Sequence, residues 1–184
     1  MNYDDKKLAG LLLFLSGVLG VLGIIVSEAL YPCYSTSENY ISDLGVGPSA
    51  IIFNTSFFFV GVCTVAGSFF IQRAFSLKIF SFLTTMAGIG AMGVGLFPVN
   101  IIIPHGIASL TTFLFGGLSS IASFNLQNHP FSYLFVLLGA VSLVALTLFF
   151  TGFHLGLGIG GMERMIAYPI LLWAIGFGGL LMSS

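Results

Sequence analysis

Six long apolar runs, separated by short polar breaks, constrain this chain of 184 residues more than any other feature. A hydrocarbon layer about 30 Å thick is crossed by roughly 20 apolar residues of helix. The runs at 8–30, 49–72, 77–97, 105–126, 132–154 and 164–182 each have about that length. They are continuously apolar rather than alternating, and about twice as long as the strand of a membrane barrel, which excludes a β-barrel. The expected fold is all-α: a polytopic membrane protein, one compact bundle of six transmembrane helices over 1–184. Only 6% of the residues are charged, where soluble domains carry roughly a quarter. So few charges cannot keep a folded surface wet, so a soluble enzyme is excluded, and the apolar content excludes a disordered chain. A net charge of -1 likewise leaves nothing to hold a nucleic acid.

The breaks carry fitting chemistry. Tyr31-Pro32, Gly47-Pro48, Phe97-Pro98, Pro104 and His129-Pro130 interrupt helix geometry, and Gln72-Arg73 and Lys78 punctuate the second connection. The glycine-rich stretch Gly156 to Gly161 is expected to be irregular backbone. Lys6, Lys7, Arg73 and Lys78 fall on one side of a six-span arrangement, and Arg164 falls on the other. The excess of Lys and Arg predicts that side, with both termini, to be cytoplasmic, in the cell membrane. The outer connections are then 31–48, 98–104 and 155–163. Ser27-Glu28-Ala29 loosely resembles a signal-peptide cleavage site, but the apolar run before it is too long for a signal core. A retained helix is expected.

Small residues recur inside the spans. Gly17, Gly20 and Gly23 repeat every three residues, and Ala87, Ala91 and Gly95 every four. In lipid, where apolar side chains gain nothing by leaving water, such residues let helix backbones approach closely. Cys33 lies in an outer loop and Cys63 in the middle of the second span, so two free thiols are expected rather than a disulfide.

Sorting the charges by side concentrates attention on one end. Asp4, Asp5, Lys6, Lys7, Arg73 and Lys78 read as ordinary inner ends and anchors. Glu28, Glu38, Asp43, Glu163 and Arg164 all map to the outer face, with His105 and His154. Charge at membrane depth is costly, and groups that persist there face a cavity or one another. Glu28 is read either as snorkelling to the interface or as facing a cavity. Asp43 in Ser42-Asp43-Leu44-Gly45 is either a turn cap or a site residue. Glu38 reads as a solvated loop acid. Glu163-Arg164 opens the sixth span, with the acid suited to a helix N-terminus and the arginine suited to a carboxylate partner or an anionic ligand. His105, Ser109, Thr112 and Gly116 share one helical face, as do Thr147, Thr151 and His154, and Asn54, Gly61 and Ser68. These stripes are expected to face into the bundle, as interhelical glue or as a site. His129 reads as a plain loop residue.

Ser42-Asp43-Leu44-Gly45, Asn54, Gly95-Leu96-Phe97-Pro98 followed by His105, and Gly161-Met162-Glu163-Arg164 with Tyr168-Pro169 and Trp173 together resemble a prokaryotic membrane family called domain of unknown function 998. The Ser-Asp-Leu-Gly loop is also distantly similar to eukaryotic six-span proteins of the Frag/DRAM/Sfk type, some linked to lipid or autophagy biology. The resemblance implies six spans and points at Asp43, Asn54, His105, Glu163 and Arg164. It implies no reaction.

Three functions fit an outer polar cluster in an apolar bundle. One is binding or transport of a membrane lipid or small molecule, with Glu28, Asp43, Asn54, His105, His154, Glu163 and Arg164 as candidate ligand-binding residues and Arg164 with a histidine holding the head group. A second is a metal-dependent hydrolase, with zinc on His105, His154 and Asp43 activating water. A third is an electron carrier with haem ligated by His105 and His154.

Overall fold

The computed structural model describes residues 3–183, apart from the Tyr3 side chain. Among these residues there is no strand. The helices are α1 (Tyr3–Leu30), α2 (Ala50–Phe75), α3 (Lys78–Leu96), α4 (Ile102–Ala122), α5 (Phe131–Thr151) and α6 (Gly158–Ser183). All six are long and apolar enough to cross a membrane. Each packs on its neighbours in sequence, and α6 returns to α1, so the six close an up-and-down ring in which α6 also touches α4. One face carries both ends of the described chain; the other carries the long 31–49 connection and is called the loop face.

The ring is tight because backbones meet where side chains are missing. A Cβ on Gly10 of α1 would lie 2.6 Å from the carbonyl oxygen of Gly178 on α6. A Cβ on Gly139 of α5 would lie 2.6 Å from that of Gly117 on α4. Hydroxyls add hydrogen bonds across helices. Ser68 donates to the Ser81 carbonyl, Ser120 to that of Phe135 and Ser142 to that of Ile166, at 2.7, 2.7 and 2.8 Å. Outside, large apolar residues such as Ile51 and Ile79 stand exposed, as a lipid-facing surface requires. At the end bearing the termini, Phe80, Phe135, Trp173 and Phe177 fill the core. There Asp5 and Arg73 pair at 3.2 Å, tying α1 to α2.

Three sequence expectations need correction. The 156–161 stretch is not all irregular, because α6 begins at Gly158. Pro104 does not precede α4 but lies in its first turn, where a missing N–H costs nothing. The α5 helix stops at Thr151, because Gly152 takes φ +75° and ends it with a left-handed cap. His154 therefore lies in a loop and not on the helix. Thr147 and Thr151 are exposed and donate to carbonyls of their own helix, so that stripe does not face the bundle. The α4 stripe does turn inward, with His105 and Gly116 buried.

Candidate functional site

The 31–49 connection folds down onto the loop face as a plug. Its short 3₁₀ turn, Ile41–Gly45, buries Ile41 and Leu44 against Ile24, Phe53, Phe57 and Leu171 of the bundle. Asp43 holds the turn from within: Oδ2 accepts the Tyr40 N–H at 2.9 Å and the Asn39 amide at 3.4 Å. Asn54 holds it from α2, donating to the Gly45 carbonyl at 3.0 Å.

From the other side, α6 grips the same segment through two consecutive residues. The Arg164 guanidinium donates through Nη1 to the carbonyls of Thr36 and Gly160, both at 2.9 Å. Through Nη2 it donates to the Tyr34 hydroxyl at 2.8 Å and pairs with Glu28 of α1. The Tyr34 hydroxyl in turn donates to the Tyr40 carbonyl at 2.7 Å. Burial pushes the Tyr34 phenol up to about 12, against the opposing pull of Arg164, so this proton stays in place at ordinary pH. Gly160 lets the loop lie this close: its N–H donates to the Ser37 carbonyl at 2.9 Å, and a Cβ there would overlap the Asn39 carbonyl.

Glu163 turns the other way. It is buried, and its Oε2 accepts the Ile41 N–H that opens the 3₁₀ turn. It therefore caps that turn from a helix 122 residues away. Among the described residues Glu163 has no ion-pair partner, since the guanidinium beside it is engaged by Glu28.

Glu163 also lines a cavity of about 400 Å³ between α4, α5, α6 and the plug. His105 and Ser109 face it from α4, and Tyr40 and Ser42 from the plug. Phe113, Leu146, Phe149 and Ile166 form much of its apolar wall. His105 Nδ1 lies 2.7 Å from the Phe97 carbonyl. A carbonyl can only accept, so Nδ1 carries the proton, and in the neutral ring Nε2 is left as an acceptor. Burial, then the charges of Glu163 and Asp43, push the Tyr40 phenol up, so it keeps its proton. The mouth lies between the loop-side halves of α4 and α5, with Ile102 and Phe150 exposed at its rim. Farther down, these two helices meet at Gly117 and Gly139.

Of the seven residues singled out from the sequence, the structure brings His105 and Glu163 to one cavity. Glu28 and Arg164 form the clamp behind it, while Asp43 and Asn54 hold the plug. His154 packs its ring against Phe149, 6.3 Å between centroids, outside the cavity lining. Among the described residues no three His, Cys, Asp or Glu side chains are placed to hold a metal ion. The zinc set of His105, His154 and Asp43 is therefore not assembled. The haem pair is not set on two facing helices as expected, because His154 lies in the loop after α5 and outside the cavity that His105 lines. Arg164, expected to hold a head group beside a histidine, does not line the cavity. The sequence reading passed over Tyr34, Tyr40, Gly160 and Phe113. The available signal was the three tyrosines, Tyr31, Tyr34 and Tyr40, in a loop whose 35–39 stretch is wholly polar.

The fold and cavity define a class: a six-helix multi-pass membrane protein whose long interhelical loop plugs one end of the ring. The chain belongs to the family described as "Protein of unknown function (DUF998)", whose model matches residues 14–179. No curated protein and no solved structure matches the chain.

Proposed function

We propose that this protein binds a membrane-borne amphiphile, a lipid or lipid-like small molecule, in the cavity between α4 and α5. The head group rests on Glu163 and His105, and the apolar part lies along Phe113, Leu146 and Phe149. The observation that carries this reading is a buried carboxylate without an ion pair at the wall of an otherwise apolar cavity. Backbone N–H groups of Ile41 and Ser42 already donate to it, but no cation balances its charge, and a cationic or donating head group in the cavity would supply what the plug does not. Beside it the His105 Nε2 is also an acceptor, and no lysine or arginine lines the cavity. The complementary head is an ammonium or a hydroxyl rather than a phosphate. Size supports the reading, since small-molecule sites span about 300–1,000 Å³. So does the mouth, which lies between two helices whose outer faces are apolar. The excess of Lys and Arg near the opposite face supports a cell-membrane orientation with the loop face outward.

The test is the lipid that travels with the protein. Extracts of protein purified in mild detergent are compared with the source membrane by mass spectrometry. An amine- or hydroxyl-headed amphiphile is expected to be enriched in the wild type and lost in Glu163→Gln. Identical profiles in the two would refute the proposal.

A further inference from the structure

Two cavities stack along α4 and α6, and Phe113 lines both. The shallower is the Glu163 cavity. The deeper one, about 50 Å³, lies at the centre of the ring, among Leu13, Ala91, Gly116, Ala167 and Trp173. Three hydroxyls also border it, but each is spent on its own helix. Ser16 donates to Leu13, Thr64 to Val60 and Thr112 to Ala108, all to carbonyls at 2.7–2.8 Å. What remains is an apolar void, and such voids stay dry. Protein interiors are otherwise close-packed, so a dry space at the middle of a tightly crossed bundle needs an occupant or a reason. Phe113 stands between the two spaces, half-buried, packed against the apolar cluster around Phe57 and Leu171 on one side and that around Leu146 and Ile166 on the other.

We infer that the central cavity is the tail end of the Glu163 site, and that Phe113 sets how far a ligand's chain reaches into it. This rests on the reading that the Glu163 cavity binds an amphiphile. The ligand class follows: a single unbranched chain with an amine or hydroxyl head. From Glu163 to Trp173 along α6 is about 15 Å of helix rise, so the chain must be long. The space beyond Phe113 is only about 50 Å³, which suits the end of an unbranched chain and not a branched or ring-bearing tail.

Trp173 makes this measurable. It is the single tryptophan of the chain, it is 2% exposed, and it lines the central cavity. Two long-chain primary amines of equal length serve as probes, one brominated at the terminal carbon and one on the head-side half of the chain, far enough from the nitrogen that the amine cannot displace the bromide by ring closure. Binding is measured in detergent by displacement calorimetry, and Trp173 emission is followed in the same samples. The expected result is loss of most Trp173 emission with the terminal bromine and little with the head-proximal one. Phe113→Ala is expected to strengthen binding of long amines over short ones. If Glu163→Gln abolishes binding but the two isomers quench alike, the tail assignment is overturned while the head-group reading stands. An unchanged chain-length preference in Phe113→Ala overturns the role of that residue. If binding and quenching are the same in Glu163→Gln, the probe is merely dissolved around the protein, and the underlying reading fails with the inference.

Discussion

Glu163 and Arg164 are consecutive on α6 and hold the same loop at different points. Arg164 takes the Thr36 carbonyl and the Tyr34 hydroxyl and closes an ion pair with Glu28, while Glu163 takes the Ile41 amide and lines the cavity. Neighbours on a helix point about 100° apart, so one dipeptide clamps the plug and equips the pocket beneath it.

The clamp is a stability element. Arg164→Gln leaves the half-buried Glu28 without its partner, and the expected loss lies between the roughly 1 kcal/mol of an exposed pair and the about 3–5 kcal/mol of breaking a fully buried one. Glu28→Gln is expected to cost a similar amount, and the double variant less than the sum. Thermal unfolding in detergent checks this. Additive losses would mean that the two groups do not act as a pair.

Two replacements at Glu163 separate its roles. Glutamine keeps an oxygen for the Ile41 amide, so Glu163→Gln is expected to unfold close to the wild-type temperature. Glu163→Ala orphans a buried donor, which costs about 1–3 kcal/mol. Equal losses in the two variants would contradict the capping assignment.

Tyr34 predicts an alkaline transition. Its phenol is pushed from the ordinary 10 up to about 12, chiefly by burial. An acid that holds its proton more tightly when folded contributes stability that is complete below pH 10 and is lost as pH rises toward 12. Stability measured across that window is expected to fall more steeply in the wild type than in Tyr34→Phe. Parallel curves would count against it.

Orientation has its own reporter. Cys33 is an exposed free thiol on the loop face, whereas Cys63 is half-buried within α2. A membrane-impermeant maleimide is expected to label intact cells through Cys33 and to lose that label in Cys33→Ser. Labelling that needs permeabilised cells would place the loop face inside.

The fold was legible because its cause is one-dimensional: a run of apolar residues as long as a bilayer is thick needs no tertiary context. Helix ends were harder. The left-handed Gly152 shortened α5 and moved His154 off a face that its spacing suggested, while Gly158 started α6 early so that Glu163 and Arg164 could meet the plug. The loop face of the bundle was legible as the place to look, but not the partition within it. Nothing in the order Glu163-Arg164 says which residue faces the loop and which the cavity. Nor can spacing along single helices reveal that Phe113 borders two cavities, since that depends on where α4 and α6 cross.

In the proposed function, the Glu163 carboxylate receives a head group that donates hydrogen bonds. Calorimetric titration of a long-chain primary amine, alcohol and alkyl phosphate into wild type and Glu163→Gln tests it directly. The wild type is expected to bind the amine and the alcohol but not the phosphate, and Glu163→Gln to weaken the amine tenfold or more, equivalent to about 1.4 kcal/mol. Amine affinity that is indifferent to this substitution, or tightest binding of the phosphate, would contradict it.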